Sequence, residues 1–258
     1  MAVELFDRDG LRASAARIDA LRGWLGGFED PGLEVVGSAE HRSIARELAE
    51  RSLTLVRDEG ELLPLRLGPQ ARVLAIMPAP RDLTPADTSS FVTPTLAAAL
   101  RAYHPTIDEV VTGHPPTAAE IAALRKRAEG YDLLVVGTIS ATAGSPQAEL
   151  VSALAATGRP LVTVALRTPW DLAAYPEVGT HVCTFSILPE SMGALAAALF
   201  GRGAGFPGRL PVRIEGLAER GHGLAEAGPV AVGAAGAASA ASAASAAGSA
   251  GAASGARR

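Results

Sequence analysis

The feature that most constrains the fold is a set of short, almost wholly apolar runs, each followed by a stretch with helical spacing. The runs are RVLAIM at residues 72–77, LLVVG at residues 133–137 and LVTVAL at residues 161–166. Strands without polar alternation are typical of parallel sheets that helices cover on both faces. We therefore expect an α/β fold: a doubly wound three-layer sandwich with a mostly parallel sheet of five or six strands and helices on both faces.

Weaker signals complete this alternation. The remaining predicted helices are 94–103, 117–128, 147–156 and 189–200, and the remaining strands are 109–111 and 181–185. Ligands of open α/β sheets bind beyond the carboxyl ends of the strands. The loops that follow the strands, PAPRDLTPADTSS, TISATAGS, RTPWD and SILPES, therefore mark the face on which a site is expected.

A separate amphipathic helix is predicted near the start of the chain, over residues 11–25. Its apolar residues recur at helical spacing: Ile18, Leu21, Trp24 and Leu25. A Gly-Gly pair ends the helix, and a linker with a Pro-Gly turn follows, FEDPGLEVVGS. The final serine of this linker caps a second helix.

The opposite end of the chain is built from Ala, Gly and Ser. Such side chains bury too little apolar area to offset the entropy of ordering, so we predict a disordered tail over residues 226–258. The 258-residue chain as a whole is 48% hydrophobic and 19% charged, which is ordinary for a globular protein.

Charge and cysteine content exclude several classes of protein. The net charge is −4 and no basic stripe appears, so no nucleic-acid partner is expected. Cys183 is the single cysteine, which excludes an internal disulfide and a multi-cysteine metal site, and its apolar strand favours a buried role. No signal peptide and no membrane span are predicted. The chain as written is that of a cytoplasmic protein, but its compartment stays open.

The sequence lacks the common motifs for binding dinucleotides, phosphates and metals. A dinucleotide fold needs G-x-G-x-x-G after its first strand, but the residues after Met77 are PAPRD. The sequence GTISATAGS at residues 137–145 has no lysine and lacks P-loop spacing. None of the five histidines has metal-ligand spacing: His41, His104, His114, His181 and His222. We expect no cofactor and no metal.

Two carboxylates follow predicted strands. Glycosidases use a pair of carboxylates for hydrolysis, and Asp171 and Glu190 both carry a carboxylate. Both also fit structural roles, because Asp171 can cap a turn and Glu190 lies in the first turn of a helix, where negative charge is favourable. Together with Arg167 and Thr168 in the same turn as Asp171, they are the candidate substrate-binding residues.

Three segments, in order, carry a family resemblance. They are EHRSIARELAERSLTLVRDEGELLPL at residues 40–65, RPLVTVALRTPWDLAAYP at residues 159–176 and LFGRGAGFPGRLPVRI at residues 199–214. Together they resemble the C-terminal α/β domain of family 3 glycoside hydrolases, particularly the beta-N-acetylglucosaminidase branch. The match extends over residues 38–214, and residues 11–28 look like the last helix of the (β/α)8 barrel that precedes this domain in the family.

The resemblance implies that the catalytic residues and the supporting role belong to different domains. In the family the nucleophilic aspartate lies on the barrel, as does the histidine-aspartate acid/base of the N-acetylglucosaminidase branch, and no residue here corresponds to either. The implied organisation is a barrel-helix remnant and linker at 1–37, the family-type domain at 38–225 and the tail at 226–258. The implied role is a scaffold or cleft wall for a glycosidase that acts on N-acetylglucosaminides, inactive without its barrel.

Other interpretations stay open, as does whether the chain is itself an enzyme. The barrel partner would belong to a separate or lost polypeptide. Alternatively, the chain is a non-catalytic module that binds a sugar or docks on a protein through Arg167, Thr168 and Asp171. A third alternative is an inactive remnant that self-associates through the apolar face of its first helix.

Overall fold

The computed structural model describes residues 7–82 and 84–224, so the predicted tail at 226–258 lies outside the described residues. The chain divides into two compact units, Met1–Glu47 and Leu48–Arg258. The helices are α1 Arg8–Leu25, α2 Ala39–Ser52, α3 Leu96–Arg101, α4 Ala118–Ala128, α5 Pro146–Ala155 and α6 Pro189–Leu199. The strands are β1 Thr54–Asp58, β2 Val73–Pro78, β3 Ile107–Thr112, β4 Leu133–Thr138, β5 Leu161–Ala165 and β6 Thr180–Cys183.

The first unit contains α1 and the start of α2. Asp7 caps α1 by accepting hydrogen bonds from the backbone of Asp9 and Gly10, and the helix ends at Gly26, as predicted. The hydroxyl of Ser38 accepts a bond from the backbone of His41 and so caps α2. The apolar residues of α1 are exposed, with Trp24 at 62%.

The second unit is built on one six-stranded sheet with the order β1-β6-β5-β4-β2-β3. All neighbouring pairs are parallel except β1 with β6, which is antiparallel and carries a register shift between Leu55 and Arg57. This confirms the predicted class, an α/β fold with a mostly parallel sheet.

Helices cover the sheet on both faces, and each face has its own core. On β2 the side chains of Val73, Ala75 and Met77 enter one core, and those of Leu74 and Ile76 enter the other. The first core takes in α3 and α6, and the second takes in α4 and α5. The period of two along each strand thus distributes apolar side chains to both layers, which gives the three-layer sandwich.

Some predicted bounds differ from the observed ones. The helix expected at 94–103 begins only at Leu96, because Thr95 has a non-helical backbone. The strand expected at 109–111 runs over Ile107–Thr112, because all six residues pair with β2. The strand expected at 181–185 ends at Cys183, because Phe185 has a positive φ of 56° and cannot continue an extended backbone.

The segments 40–65, 159–176 and 199–214 meet in the fold. The backbone N–H of Leu65 donates to the carbonyl of Leu199 at 2.7 Å, and that of Gly208 donates to the carbonyl of Leu53 at 2.8 Å. The indole of Trp170 donates to the carbonyl of Arg213 at 3.2 Å. The three segments, distant in sequence, are therefore joined by direct hydrogen bonds in the fold.

Within residues 7–82 and 84–224, no helix has the length and apolar character needed to cross a membrane. The same residues hold no group of three or more His, Cys, Asp or Glu side chains arranged to hold a metal ion.

Candidate functional site

A pocket of about 210 Å³ lies where the parallel strands end, between the loops that follow β2, β4, β5 and β6. Its polar lining consists of Arg81, Thr88, Ser89, Arg167 and Ser186, and its aromatic lining is Phe185. This is the end of the sheet at which α/β folds bind ligands, and all the contributing loops belong to the second unit.

Arg167 joins two of these loops. Its Nη1 donates to Oδ2 of Asp87 at 2.8 Å and lies 3.4 Å from Oγ of Ser89. Oδ1 of Asp87 in turn accepts bonds from the backbone N–H and the hydroxyl of Ser89, at 2.9 and 2.5 Å. Because the Asp87 side chain is only 8% exposed, this pair is screened less than a surface pair and fixes the loop after β2 against the end of β5.

Arg81 approaches the pocket from the loop after β2. Its Nη1 donates to the backbone carbonyl of His114 at 2.9 Å. Burial, reinforced by the positive charge of Arg81, holds the pKa of His114 below its ordinary value, so this imidazole is neutral near pH 7. Among the described residues Arg81 has no carboxylate partner, and its charge is therefore uncompensated.

Gln147 fixes the end of β4 behind the pocket. Its Oε1 accepts a bond from the backbone N–H of Ile139 at 2.9 Å, and its Nε2 donates to the carbonyl of the same residue at 2.8 Å. The second hydrogen on Nε2 points to Nε2 of His114 at 3.3 Å. Gln147 lies in the first turn of α5, so the helix start, the strand end and the His114 loop are held together.

Asp171 is the centre of a buried network next to the pocket. The side chain is fully buried and accepts bonds from the hydroxyls of Thr138 at 2.7 Å and Thr168 at 2.9 Å. Thr138 has one hydroxyl hydrogen, which goes to Asp171, so the hydroxyl of Tyr175 donates to Thr138 at 2.7 Å. Burial raises the pKa of Asp171, although these hydroxyl donors act in the opposite direction.

The four predicted site residues thus fall into different positions. Arg167 lines the pocket. Thr168 and Asp171 bond to one another beside it, and Asp171 is enclosed by protein. Glu190 is half-buried in the first turn of α6 and is not a lining residue. Contact between any of them and a substrate stays a prediction.

Sequence reasoning passed over the other polar groups of the pocket. Arg81, Asp87 and Ser89 all lie in the loop PAPRDLTPADTSS, which was marked only as a whole. Arginine is common in this chain, and no local pattern separates Arg81 from the exposed arginines. The pairing of Asp87 with Arg167 joins residues 80 positions apart, so only the fold reveals it.

A cysteine and a histidine lie side by side within the sheet, and both are chemically inert there. Sγ of Cys183 lies 3.7 Å from Nε2 of His181, and both residues are fully buried. Burial lowers the pKa of His181 to about 3 and raises the pKa of Cys183. Neither a thiolate nor an imidazolium forms near neutral pH, which confirms Cys183 as a small buried hydrophobe.

The pocket is equipped for binding. Its described lining offers two guanidinium groups, three hydroxyls and one aromatic ring, and it contains no carboxylate. Glycoside hydrolysis requires a pair of carboxyl groups or their equivalent on either side of the sugar. Within the described residues, the pocket holds no such pair.

No family model and no curated protein matches the chain. Among solved structures, a glycoside hydrolase family 3 beta-N-acetylglucosaminidase from a Paenibacillus species is 28% identical, with a TM-score of 0.66. A fungal multi-domain beta-N-acetylglucosaminidase of the same family is 22% identical, with a TM-score of 0.64, and the beta-glucoside phosphorylase BglX bound to 2FGlc is 20% identical, with a TM-score of 0.58.

These matches cover most of this chain and a minority of each neighbour. The chain is covered to 76%, 83% and 83%, and the neighbours to 38%, 24% and 40% of their own lengths. The described residues form one α/β sandwich and contain no (β/α)8 barrel. The fold, the order of the three motif segments and the neighbours agree: the chain is similar to the α/β domain of glycoside hydrolase family 3 enzymes and spans less than half the length of these neighbours.

Proposed function

We propose that this chain acts as the second domain of a family 3-type glycoside hydrolase and forms one wall of a cleft that receives N-acetylglucosaminides. The observation that carries the proposal is the pocket at the carboxyl ends of the strands, which has groups for binding a sugar and no acid/base pair. The 28% identical neighbour is a beta-N-acetylglucosaminidase, which supports the choice of substrate class.

In this proposal Arg167 contacts the substrate, and its neighbours hold it in place. Arg167 lies two residues past the end of β5, and Thr168 and Asp171 fix the turn that comes after it. Asp171 is enclosed, so its role is to position the turn through Thr168 and Thr138. Glu190 would contribute at the rim, from the first turn of α6.

The barrel of such an enzyme would come from another polypeptide or from sequence outside this chain. The domain limits follow the sequence prediction: residues 1–37 as a barrel-associated helix with its linker, and residues 38–225 as the family-type domain. The exposed apolar residues of α1, Leu21 and Trp24 among them, are the surface we assign to the barrel.

The first experiment is a turnover assay of the purified chain with a chromogenic N-acetylglucosaminide. We expect no turnover, because the described residues supply no pair of catalytic carboxyl groups. Clear turnover at ordinary enzyme concentration, retained through a second purification step, would contradict the proposal.

A second candidate function is an independent sugar-binding module. It is favoured by the pocket being built wholly from residues of the second unit. A cleft wall supplies only part of the binding free energy, so a dissociation constant for N-acetylglucosamine below about 1 mM, or about −4.1 kcal/mol, would favour the module. Calorimetry measures N-acetylglucosamine binding to Arg167→Gln and to the exposed control Arg125→Gln. Only the first change touches the pocket, so a loss of binding in that variant alone locates the sugar there.

A further inference from the structure

We propose that the pocket at the carboxyl ends of the strands binds the anionic group of a charged saccharide, a carboxylate or a phosphate carried on a sugar ring. The choice of a sugar rests on the proposed function. The choice of an anion rests on the charges of the pocket itself, and these can be counted from the described residues.

Two cations line the pocket and no anion does. Arg167 is compensated, because its Nη1 is bonded to Asp87 at 2.8 Å behind the lining. Arg81 donates only to a neutral acceptor, the backbone carbonyl of His114. Asp82, the carboxylate next in sequence, accepts bonds from the backbone and hydroxyl of Ser90 at 2.9 and 2.8 Å and does not line the pocket. The lining therefore carries one unbalanced positive charge.

The Arg81 guanidinium is prepared for a charged ligand. One of its nitrogens is held by the His114 carbonyl, and the remaining N–H groups have no acceptor among the described residues. The imidazole of His114, which is neutral, neither repels nor replaces an incoming anion. A planar guanidinium with free donors matches the geometry of carboxylate and phosphate oxygens, and such charge-assisted bonds are about twice as strong as neutral ones.

The remainder of the lining suits a sugar ring. The hydroxyl of Ser186 accepts a bond from the backbone N–H of Leu188 at 3.1 Å, so its own hydrogen is free to donate. Phe185 is held at a φ of 56°, which is rare for a residue other than glycine, and its half-buried ring lines the pocket. At about 210 Å³ the pocket is smaller than the roughly 300–1,000 Å³ of sites for drug-sized ligands, which limits the ligand to about one ring.

The test is an NMR-monitored titration of the full chain with four probes at constant ionic strength. The probes are N-acetylglucosamine 6-phosphate, glucuronic acid, N-acetylglucosamine and inorganic phosphate. We expect at least one anionic sugar to bind about tenfold or more tightly than N-acetylglucosamine, with shifts at Ser89 and Ser186. Comparison of the phospho-sugar with the sugar acid identifies which anion the pocket prefers.

Two variants locate the effect. Arg81→Gln should weaken binding of the anionic sugar by about tenfold and weaken binding of N-acetylglucosamine by much less, because it removes the unbalanced charge. Arg125→Gln removes the same charge from the exposed surface of α4 and should change neither. Because Arg81 is exposed, its substitution should preserve the spectrum of the folded chain.

Any of three results overturns the anion assignment. These are equal affinity for charged and neutral sugars, no binding of either anionic sugar, and an anionic-sugar affinity that Arg81→Gln does not change. Inorganic phosphate binding as tightly as both anionic sugars overturns the sugar assignment, and with it the support for the proposed function, while the anion assignment survives. The titration needs no barrel and no turnover, so failure of the hydrolase proposal in the turnover assay is a separate result.

Discussion

Single residues of this domain are constrained most where backbones approach closely, and Gly208 is the clearest case. A Cβ at this position would lie 2.5 Å from the carbonyl oxygen of Leu53 and would also contact that of Ser52. The N–H of Gly208 meanwhile donates to the Leu53 carbonyl. This glycine is therefore required by the packing of one chain segment on another.

Gly208→Ala should lower the free energy of unfolding by about 1–3 kcal/mol, the usual cost of forcing an extra carbon into a packed site. The control is Gly68→Ala, because a Cβ at Gly68 meets no atom within 4 Å and its φ is not in the left-handed region. Urea unfolding of both variants measures the difference. A Gly208 variant as stable as the control would show that the close approach is relieved at little cost.

The buried His181 makes stability depend on pH. Its pKa is about 3 in the folded chain and about 6.5 when unfolded, so between these values the unfolded state binds a proton that the folded state does not. The free energy of unfolding should therefore fall as the pH falls below about 6.5, by about 1.4 kcal/mol per pH unit from this group.

His181→Asn removes this dependence, and the difference between the wild-type and variant slopes from pH 6 to 4 isolates it from the carboxylates. The exposed His41 provides the matched control, since His41→Asn makes the same substitution on the surface and leaves the buried His181 in place. Parallel pH profiles for the wild type and His181→Asn would mean that His181 is protonated inside the fold.

Between elements, the connection from β4 to the 3-10 turn Pro169–Ala174 depends on the hydroxyl of Thr138, which links Tyr175 to Asp171. Thr138→Val should lower the free energy of unfolding by about 1–3 kcal/mol, because it removes one donor to the buried Asp171 and the acceptor of the buried Tyr175 hydroxyl. Thr142→Val, at an exposed position in the loop after β4, should cost far less. Thermal unfolding compares the two, and equal losses would count against the network.

The elements themselves were predictable because each depends on local pattern. The run LVTVAL became β5, and Thr117 with Glu120 forms the capping box that starts α4. The antiparallel pairing of β1 with β6 was not predictable, because it joins Thr54 to Cys183 across the length of the domain. Periodicity along one segment contains no information about which distant segment lies beside it.

For the whole molecule, the two cores are formed by residues from Ala49 to Ile214. A chain that begins at Ser38 should therefore unfold at the same midpoint as the full chain. The full chain should self-associate with rising concentration through the exposed apolar face of α1, and the shortened chain should sediment as a monomer. Sedimentation velocity compares the full and shortened chains. Association that persists after the deletion would show that a surface other than α1 mediates it.

The site was predictable only as a region. The topology rule placed it at the carboxyl ends of the strands, and Arg167 came from the motif around β5. Arg81 required the fold, because its proposed role depends on there being no carboxylate among the described residues within ion-pair distance of its guanidinium. Charge balance of this kind is a property of the assembled surface and has no signature in a local stretch of sequence.

The position of β3 at the end of the strand order has a consequence for solubility. An open sheet has two edge strands, here β1 and β3, and an edge strand with unpaired backbone groups promotes aggregation. The edge strand β3 carries Asp108 and Glu109, which form ion pairs with Arg72 and Arg101 at 3.2 and 3.6 Å. A second chain that paired with β3 would have to desolvate these charges, so the sequence of this strand works against polymerisation of the sheet.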